Sequence, residues 1–197
     1  MGQGRVAELT RNTKETEICL SFHLDGSGMC RAETGIGFFD HMLDGFARHG
    51  LFDLEVSCKG DLEVDSHHTA EDVGIVLGEA IKAALGEKKG IRRYGSIILP
   101  MDEALVLCAV DLSGRPYLGF EETYTAQRIG GLDTEMIHDF FYAISYSAGM
   151  NLHLKQLAGT NNHHIAEASF KAFARALDEA VSCEPRISGV WSTKGTL

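Results

Sequence analysis

Long apolar runs are missing from this chain, and no stretch approaches the roughly 18 residues that span a bilayer. The opening segment MGQGRVAELT lacks the apolar centre of a secretory signal, so the expected location is cytoplasmic and no membrane partner is expected. Proline is scarce, with three residues in 197, and polar low-complexity tracts are absent, which argues against a disordered linker or tail. No CxxC pair occurs. Cys19, Cys30, Cys58, Cys108 and Cys183 are odd in number and widely spaced, so neither a disulfide framework nor a thiolate zinc site is expected. Basic charge is in short supply: 18 Lys and Arg face 28 Asp and Glu, for a formal net charge of -10. That balance excludes nucleic acid as a general partner and means that an anionic ligand needs a local basic pocket.

The 44% of hydrophobic residues suffices to bury a core, either as one domain or as two small repeats. The chain reads twice. Gly50 and Gly60 bracket the same length as Gly149 and Gly159, an offset of 99 residues, and each segment leads into a His-His pair and then a helix. The expected division is a first repeat over 1–88, a second over 89–184 and a carboxy-terminal tail over 185–197. In the first repeat Ile18, Leu20, Phe22 and Leu24 alternate with polar or small residues, as in a half-buried strand, and residues 25–28 form a turn. A helix is predicted over 38–48, a strand over 51–58 and a closing helix over 69–85. Val73, Val76, Leu77, Ala80, Ile81 and Ala84 form the apolar face of that helix, and Gly86 stops it. The second repeat predicts strands over 96–99, 104–112 and 117–123, then a helix over 134–148, a strand over 151–157 and a helix over 165–181. Strands grouped before helices indicate an α+β fold.

The strongest chemical signal is His67-His68-Thr69-Ala70-Glu71, matched by His163-His164-Ile165-Ala166-Glu167. In a helix the first histidine and the glutamate, four apart, share a face and can grip one metal ion. The second histidine then points about 100° away, toward a different ion. One such pair is an ordinary surface feature, but two in matching places of a duplicated chain are not. The spacing predicts two sites, one of His67, Glu71 and His164, the other of His163, Glu167 and His68. Imidazole and carboxylate donors without cysteine suit manganese, iron or zinc. His41 is a further candidate ligand; the 99-residue offset maps it to Phe140, flanked by His138 and Asp139, and leaves those two open. A binuclear hydrolase or a metal-storage shell would use similar donors.

In an acidic chain the candidate phosphate ligands stand out: Arg92, Arg93, Arg115, Lys171 and Lys194. Lys171 follows Glu167 by one helical turn. Residues 13–16, 24–28, 39–43, 49–53, both His-His-x-x-Glu segments, and residues 112–117, 170–177 and 192–195 together resemble imidazoleglycerol-phosphate dehydratase over essentially the whole length. The resemblance implies a duplicated, ribosomal protein S5 domain 2-like fold, with helices sandwiched between two mostly antiparallel sheets. It implies a lyase of histidine biosynthesis that converts imidazoleglycerol phosphate to imidazoleacetol phosphate. It also implies two manganese ions per chain at subunit contacts of a 24-subunit homo-oligomer, and it favours Asp139 as the further ligand of the second repeat. Arg93, Arg115, Lys171, Ser192 and Lys194 would meet the phosphate, with His49 and Glu15 facing the glycerol or imidazole part. Glu15 is the expected proton-abstracting base, because the glutamates Glu71 and Glu167 are committed to metal.

Overall fold

Where apolar and polar residues alternate, the chain is extended, and Ile18, Leu20 and Phe22 all turn into the core from a single strand. The computed structural model describes residues 4–197. The first half contains strands β1 (Val6–Asn12), β2 (Thr16–His23) and β3 (Cys30–Glu33), helix α1 (Gly37–Gly50), strand β4 (Asp53–Gly60) and helix α2 (His67–Leu85). The second contains β5 (Tyr94–Met101), β6 (Ala104–Asp111), β7 (Tyr117–Glu121), a small hairpin of β8 (Arg128–Ile129) and β9 (Leu132–Asp133), α3 (Glu135–Ala148), β10 (Asn151–Ala158) and α4 (Asn162–Val181). The first sheet has the order β1-β2-β4-β3 and the second β5-β6-β10-β7. In each, the last-named strand pairs parallel to its neighbour and the rest pair antiparallel. The same topology drawn twice is a duplication. α1 and α2 lie on the first sheet, α3 and α4 are associated with the second, and the helices meet as α2 on α3 and α1 on α4.

The two halves are not offset by a constant amount. β1 and β5 start at 6 and 94, and β2 and β6 at 16 and 104, a shift of 88. α1 and α3 start at 37 and 135, and β4 and β10 at 53 and 151, a shift of 98. The extra length enters between β7 and α3, where residues 122–134 replace the short 34–36 link of the first half. The glycine-based offset of 99 is therefore one residue too long. The left-handed residue that ends α1 is Leu51 (φ 56°), and the one that ends α3 is Gly149 (φ 66°), so Gly149 corresponds to Leu51 and not to Gly50. With that shift His41 corresponds to Asp139.

Both long helices start earlier than their apolar periodicity predicts, because polar residues cap them. Asp65 Oδ1 accepts the His67 N–H at 2.7 Å, and Asn161 Oδ1 accepts those of His163 and His164 at 2.9 and 3.4 Å. Each His-His pair thereby enters the first helical turn. The core is an aromatic cluster: Phe22, Phe46, Phe52 and Phe173 contact one another in series, and Phe39, Phe140, Phe141 and Phe170 continue it. α2 reaches α3 through Gly74 and Gly78, one turn apart; a Cβ there would stand 2.8 Å from the carbonyl oxygens of Phe140 and Ile144 respectively. That close approach is what brings the start of α2 beside Asp139. No helix among the described residues is long and apolar enough to cross a membrane.

Candidate metal centres

Each His-x-x-x-Glu pair closes on one helix face as its spacing requires. His67 Nε2 lies 3.6 Å from Glu71 Oε2, and His163 Nε2 lies 3.2 Å from Glu167 Oε2. A helix of the other half then joins each pair. His41 of α1 approaches Glu167 Oε2 to 3.9 Å through Nε2, and Asp139 of α3 approaches His67 Nδ1 to 3.6 Å through Oδ2. The outcome is two related triads, His41–His163–Glu167 and Asp139–His67–Glu71. One donor atom from each member of the first lies within 4.8 Å of the others, close to the spread of donors about 2.1 Å from a shared ion. The second is more open, since His67 meets its two carboxylates with different ring nitrogens. Nitrogen and oxygen donors of this kind fit a divalent ion such as manganese. His138 turns elsewhere: its Nδ1 contacts Asp139 Oδ1 at 2.9 Å and its ring lies between Phe120 and Tyr142.

His68 and His164 diverge from the triads, with ring planes 84° and 81° from those of His67 and His163. Asp61 Oδ2 holds His68 Nδ1 at 3.0 Å, and Glu103 Oε2 holds His164 Nδ1 at 2.7 Å. These hydrogen bonds are the main reason both imidazoles are more basic than usual, while Glu103 is drawn down to about 2. A carboxylate on Nδ1 leaves Nε2 available, which is the arrangement that commonly orients metal-ligating histidine. Within one chain, then, His164 does not join His67 and Glu71, and His68 does not join His163 and Glu167. His68 instead faces Glu15, whose Oε1 is 3.7 Å from Nε2.

The predicted phosphate ligands fall into two groups. Lys171 sits at the first triad, its Nζ 2.7 Å from Glu167 Oε1. Burial pushes the Glu167 carboxyl up, but the hydrogen bond and charge of Lys171, with His41 and His163, outweigh it and leave the pKa lowered. His49 belongs to the same neighbourhood: burial first, then Lys171, lowers its pKa and favours the neutral ring. Arg93 lies at the opposite end of α4, where its N–H bonds the Ala180 carbonyl at 2.8 Å. Its guanidinium grips Asp111 at 2.7 and 3.1 Å and donates to the Trp191 carbonyl at 2.9 Å. Ser192 Oγ accepts the Lys194 N–H at 3.2 Å, and the tail ends against Gly114, next to exposed Arg115. From His163 to Ala180 the helix runs about 25 Å. A single chain therefore keeps Arg93 and the tail well away from its own first triad.

The family profile described as imidazoleglycerol-phosphate dehydratase matches residues 34–177. The dehydratase of Lachnoclostridium phytofermentans is 66% identical over 193 residues, covering 98% of each chain. The chain belongs to the imidazoleglycerol-phosphate dehydratase family. Its relative in Acetivibrio thermocellus is 61% identical over 98% of this chain and 99% of its own. The crystal structure of the Staphylococcus aureus imidazoleglycerol-phosphate dehydratase superposes with a TM-score of 0.83 at 36% identity, covering 91% of this chain and 99% of that one. The Pyrococcus furiosus structure gives 0.83 at 37% identity, covering 96% and 100%. As a member of this dehydratase family the chain is a hydro-lyase of histidine biosynthesis.

Sequence reasoning missed Asp61, Glu103 and Asp102, whose Oδ2 lies 3.8 Å from His164 Nε2. The signal for Glu103 was present: the 88-residue shift carries Glu15, at the tip of the β1–β2 hairpin, onto Glu103 at the tip of the β5–β6 hairpin. Each faces the second histidine of its half. Glu122 was missed as well. Ser169 Oγ, with one proton, lies 2.6 Å from Glu122 Oε1 and 2.8 Å from the Ile165 carbonyl, while the Tyr124 hydroxyl donates to Glu122 Oε2 at 2.7 Å. Burial pushes the Glu122 pKa up to about 7, against the lowering effect of Ser169 and Tyr124. A carboxyl raised on folding binds its proton more tightly in the native state, so its contribution is full below 4.5 and is lost as pH climbs to about 7. Relative to Glu122→Gln, the wild-type chain should lose on the order of 2 kcal/mol of stability across that window. Parallel denaturant titrations at several pH values measure it, and superimposable profiles would contradict it.

Proposed function

We propose that the chain dehydrates imidazoleglycerol phosphate to imidazoleacetol phosphate with two manganese ions per chain, in the cytoplasm, as a 24-subunit homo-oligomer whose subunit contacts complete the sites. The observation that carries this reading is the pair of triads, each drawn from both halves, with His68 and His164 turned outward. In the proposal His164 of another subunit completes the Asp139–His67–Glu71 set, and His68 of another subunit completes the His41–His163–Glu167 set. Bound there, the ions supply Lewis acidity toward the ring nitrogens of the substrate.

The remaining work falls to side chains. Glu15 removes the proton from the substrate carbon. Its backbone is fixed for this by the Thr13 hydroxyl, which accepts the Glu15 N–H at 3.1 Å, and by the Asp61 N–H, which donates to the Glu15 carbonyl at 3.1 Å. Its carboxylate stays exposed. Neutral His49 faces the glycerol part and can accept or donate one hydrogen bond there. Arg93, Arg115, Ser192 and Lys194 with the tail 185–197, together with Lys171, hold the phosphate. Because Arg93 is fastened at Ala180, about 25 Å along α4 from His163 of the first triad, the phosphate site joins residues of different subunits. Metal analysis combined with product identification tests the whole reading. About two ions per chain and a ketone that keeps its phosphate are expected. Release of inorganic phosphate would favour a binuclear hydrolase, and hundreds of ions per assembly a storage shell.

A further inference from the structure

The duplication is broken in one place, and that place touches the start of both helices that carry a His-x-x-x-Glu pair, α2 and α4. Residues 122–134 take the place of a three-residue link, 34–36, in the first half. Toward α4, Asn162 Oδ1 accepts the N–H groups of Thr125 and Ala126 at 2.7 and 3.4 Å, and Asn162 Nδ2 donates to Thr125 Oγ1 at 3.1 Å. Asn162 is the residue before His163. Toward α2, the Ser66 hydroxyl donates to Asp133 Oδ2 at 3.0 Å, and the Asp133 N–H approaches Ser66 Oγ at 3.3 Å. Ser66 is the residue before His67.

The segment is rigid between these two attachments. Arg128 clamps Asp133 across the small hairpin at 2.6 and 3.2 Å, and the Thr134 hydroxyl donates to the Ala126 carbonyl at 2.8 Å. At the tip, a Cβ on Gly130 would be 3.3 Å from Phe38 Cβ, and the Phe38 ring packs edge-on against His163 with centroids 5.1 Å apart. Its root is fastened to α4 through Glu122 and Ser169.

Each triad combines helices from different halves, so no local stretch of sequence sets the distance between its donors. Ligands that must be gathered when the ion arrives cost affinity, and ligands already held apart at the right distance do not. We propose that residues 122–134 are a positioning brace that holds the start of α2 against α3, into which the segment leads, and the start of α4 against α1 through Gly130 and Phe38, and so preorganises both triads. The proposal rests on the triads being divalent-cation sites. A surface hairpin without this role would affect both sites equally, through overall stability alone. A brace has two separable arms.

The arms can be cut one at a time in the full-length oligomer. Asp133→Ala cuts the α2 arm, Asn162→Ala cuts the α4 arm, and Asp133→Asn keeps an acceptor for Ser66. In metal-stripped protein, hydrogen exchange should quicken in the first turn of α2 alone for Asp133→Ala and in that of α4 alone for Asn162→Ala. In manganese titrations followed by the resonance of the free ion, each alanine variant should weaken one of two sites by about 10–100-fold, the range for lost outer-sphere support. Asp133→Asn should recover most of the loss, and the double variant should weaken both. Equal weakening of both sites in each single variant, or exchange and affinity both unchanged, would overturn the brace. If the wild-type chain takes up no manganese, the metal reading fails, and the exchange pattern still decides the brace.

Discussion

Replacing Glu167 with Gln should remove one manganese ion from each chain and lower turnover by more than about 100-fold, the upper end for losing only outer-sphere support of a metal ligand. Glu167 uses both oxygens: Oε1 meets Lys171 at 2.7 Å, and Oε2 meets His163 at 3.2 Å and His41 at 3.9 Å. The amide keeps the shape and can still accept from Lys171, so packing is preserved while the anionic donor is lost. That choice separates a metal role from a structural one. Glu71→Gln should remove the other ion and leave the first in place. The ratio of manganese to chain, measured beside the rate of product formation, decides the matter. A Glu167→Gln enzyme with two ions and normal turnover would end the assignment of the triad.

For Glu15→Gln the expected pattern is the reverse: two ions per chain are retained, and turnover falls by about 10²–10⁴-fold, the usual contribution of a positioned general base. Substrate affinity should change little, and so should stability, because Glu15 is exposed at a hairpin tip. Its counterpart Glu103 gives the contrast. Hydrogen-bonded to His164 and drawn down to about 2, Glu103 is too weak a base for proton abstraction near neutrality. Glu103→Gln should instead loosen His164 and lower cation affinity. The two hairpins thus carry the same residue toward different ends, and steady-state rates with metal content for both variants read the difference. Wild-type turnover in Glu15→Gln would remove it from the catalytic role.

What could be read from the residues followed their periodicity. β2 and α2 announced themselves through apolar spacing, and both His-His-x-x-Glu segments were legible because residues four apart share one face of a helix. β1 and β3 were not foreseen. β1 buries only Ala7 completely and the four-residue β3 buries none of its residues completely, so neither carries an apolar alternation. The choice between His138 and Asp139 could not be made from glycine spacing, because the left-handed residue that ends α1 is Leu51 and not Gly50, so pairing Gly50 with Gly149 runs one residue too long. The distance between Arg93 and Lys171 was invisible for another reason. It depends on the length of α4 and not on any motif, and the resemblance groups residues by role without saying which subunit carries them.

Each triad takes its residues from a helix of one half and a helix of the other, and this has a bearing on ancestry. A forerunner only one repeat long could have assembled such a centre solely by pairing two identical copies about a twofold axis, which would have forced the same donor into positions 41 and 139. Joining the copies end to end released that constraint. The present His41 and Asp139 are the record of the release, and they give one chain two centres of unequal charge where a symmetric ancestor could have had only equals.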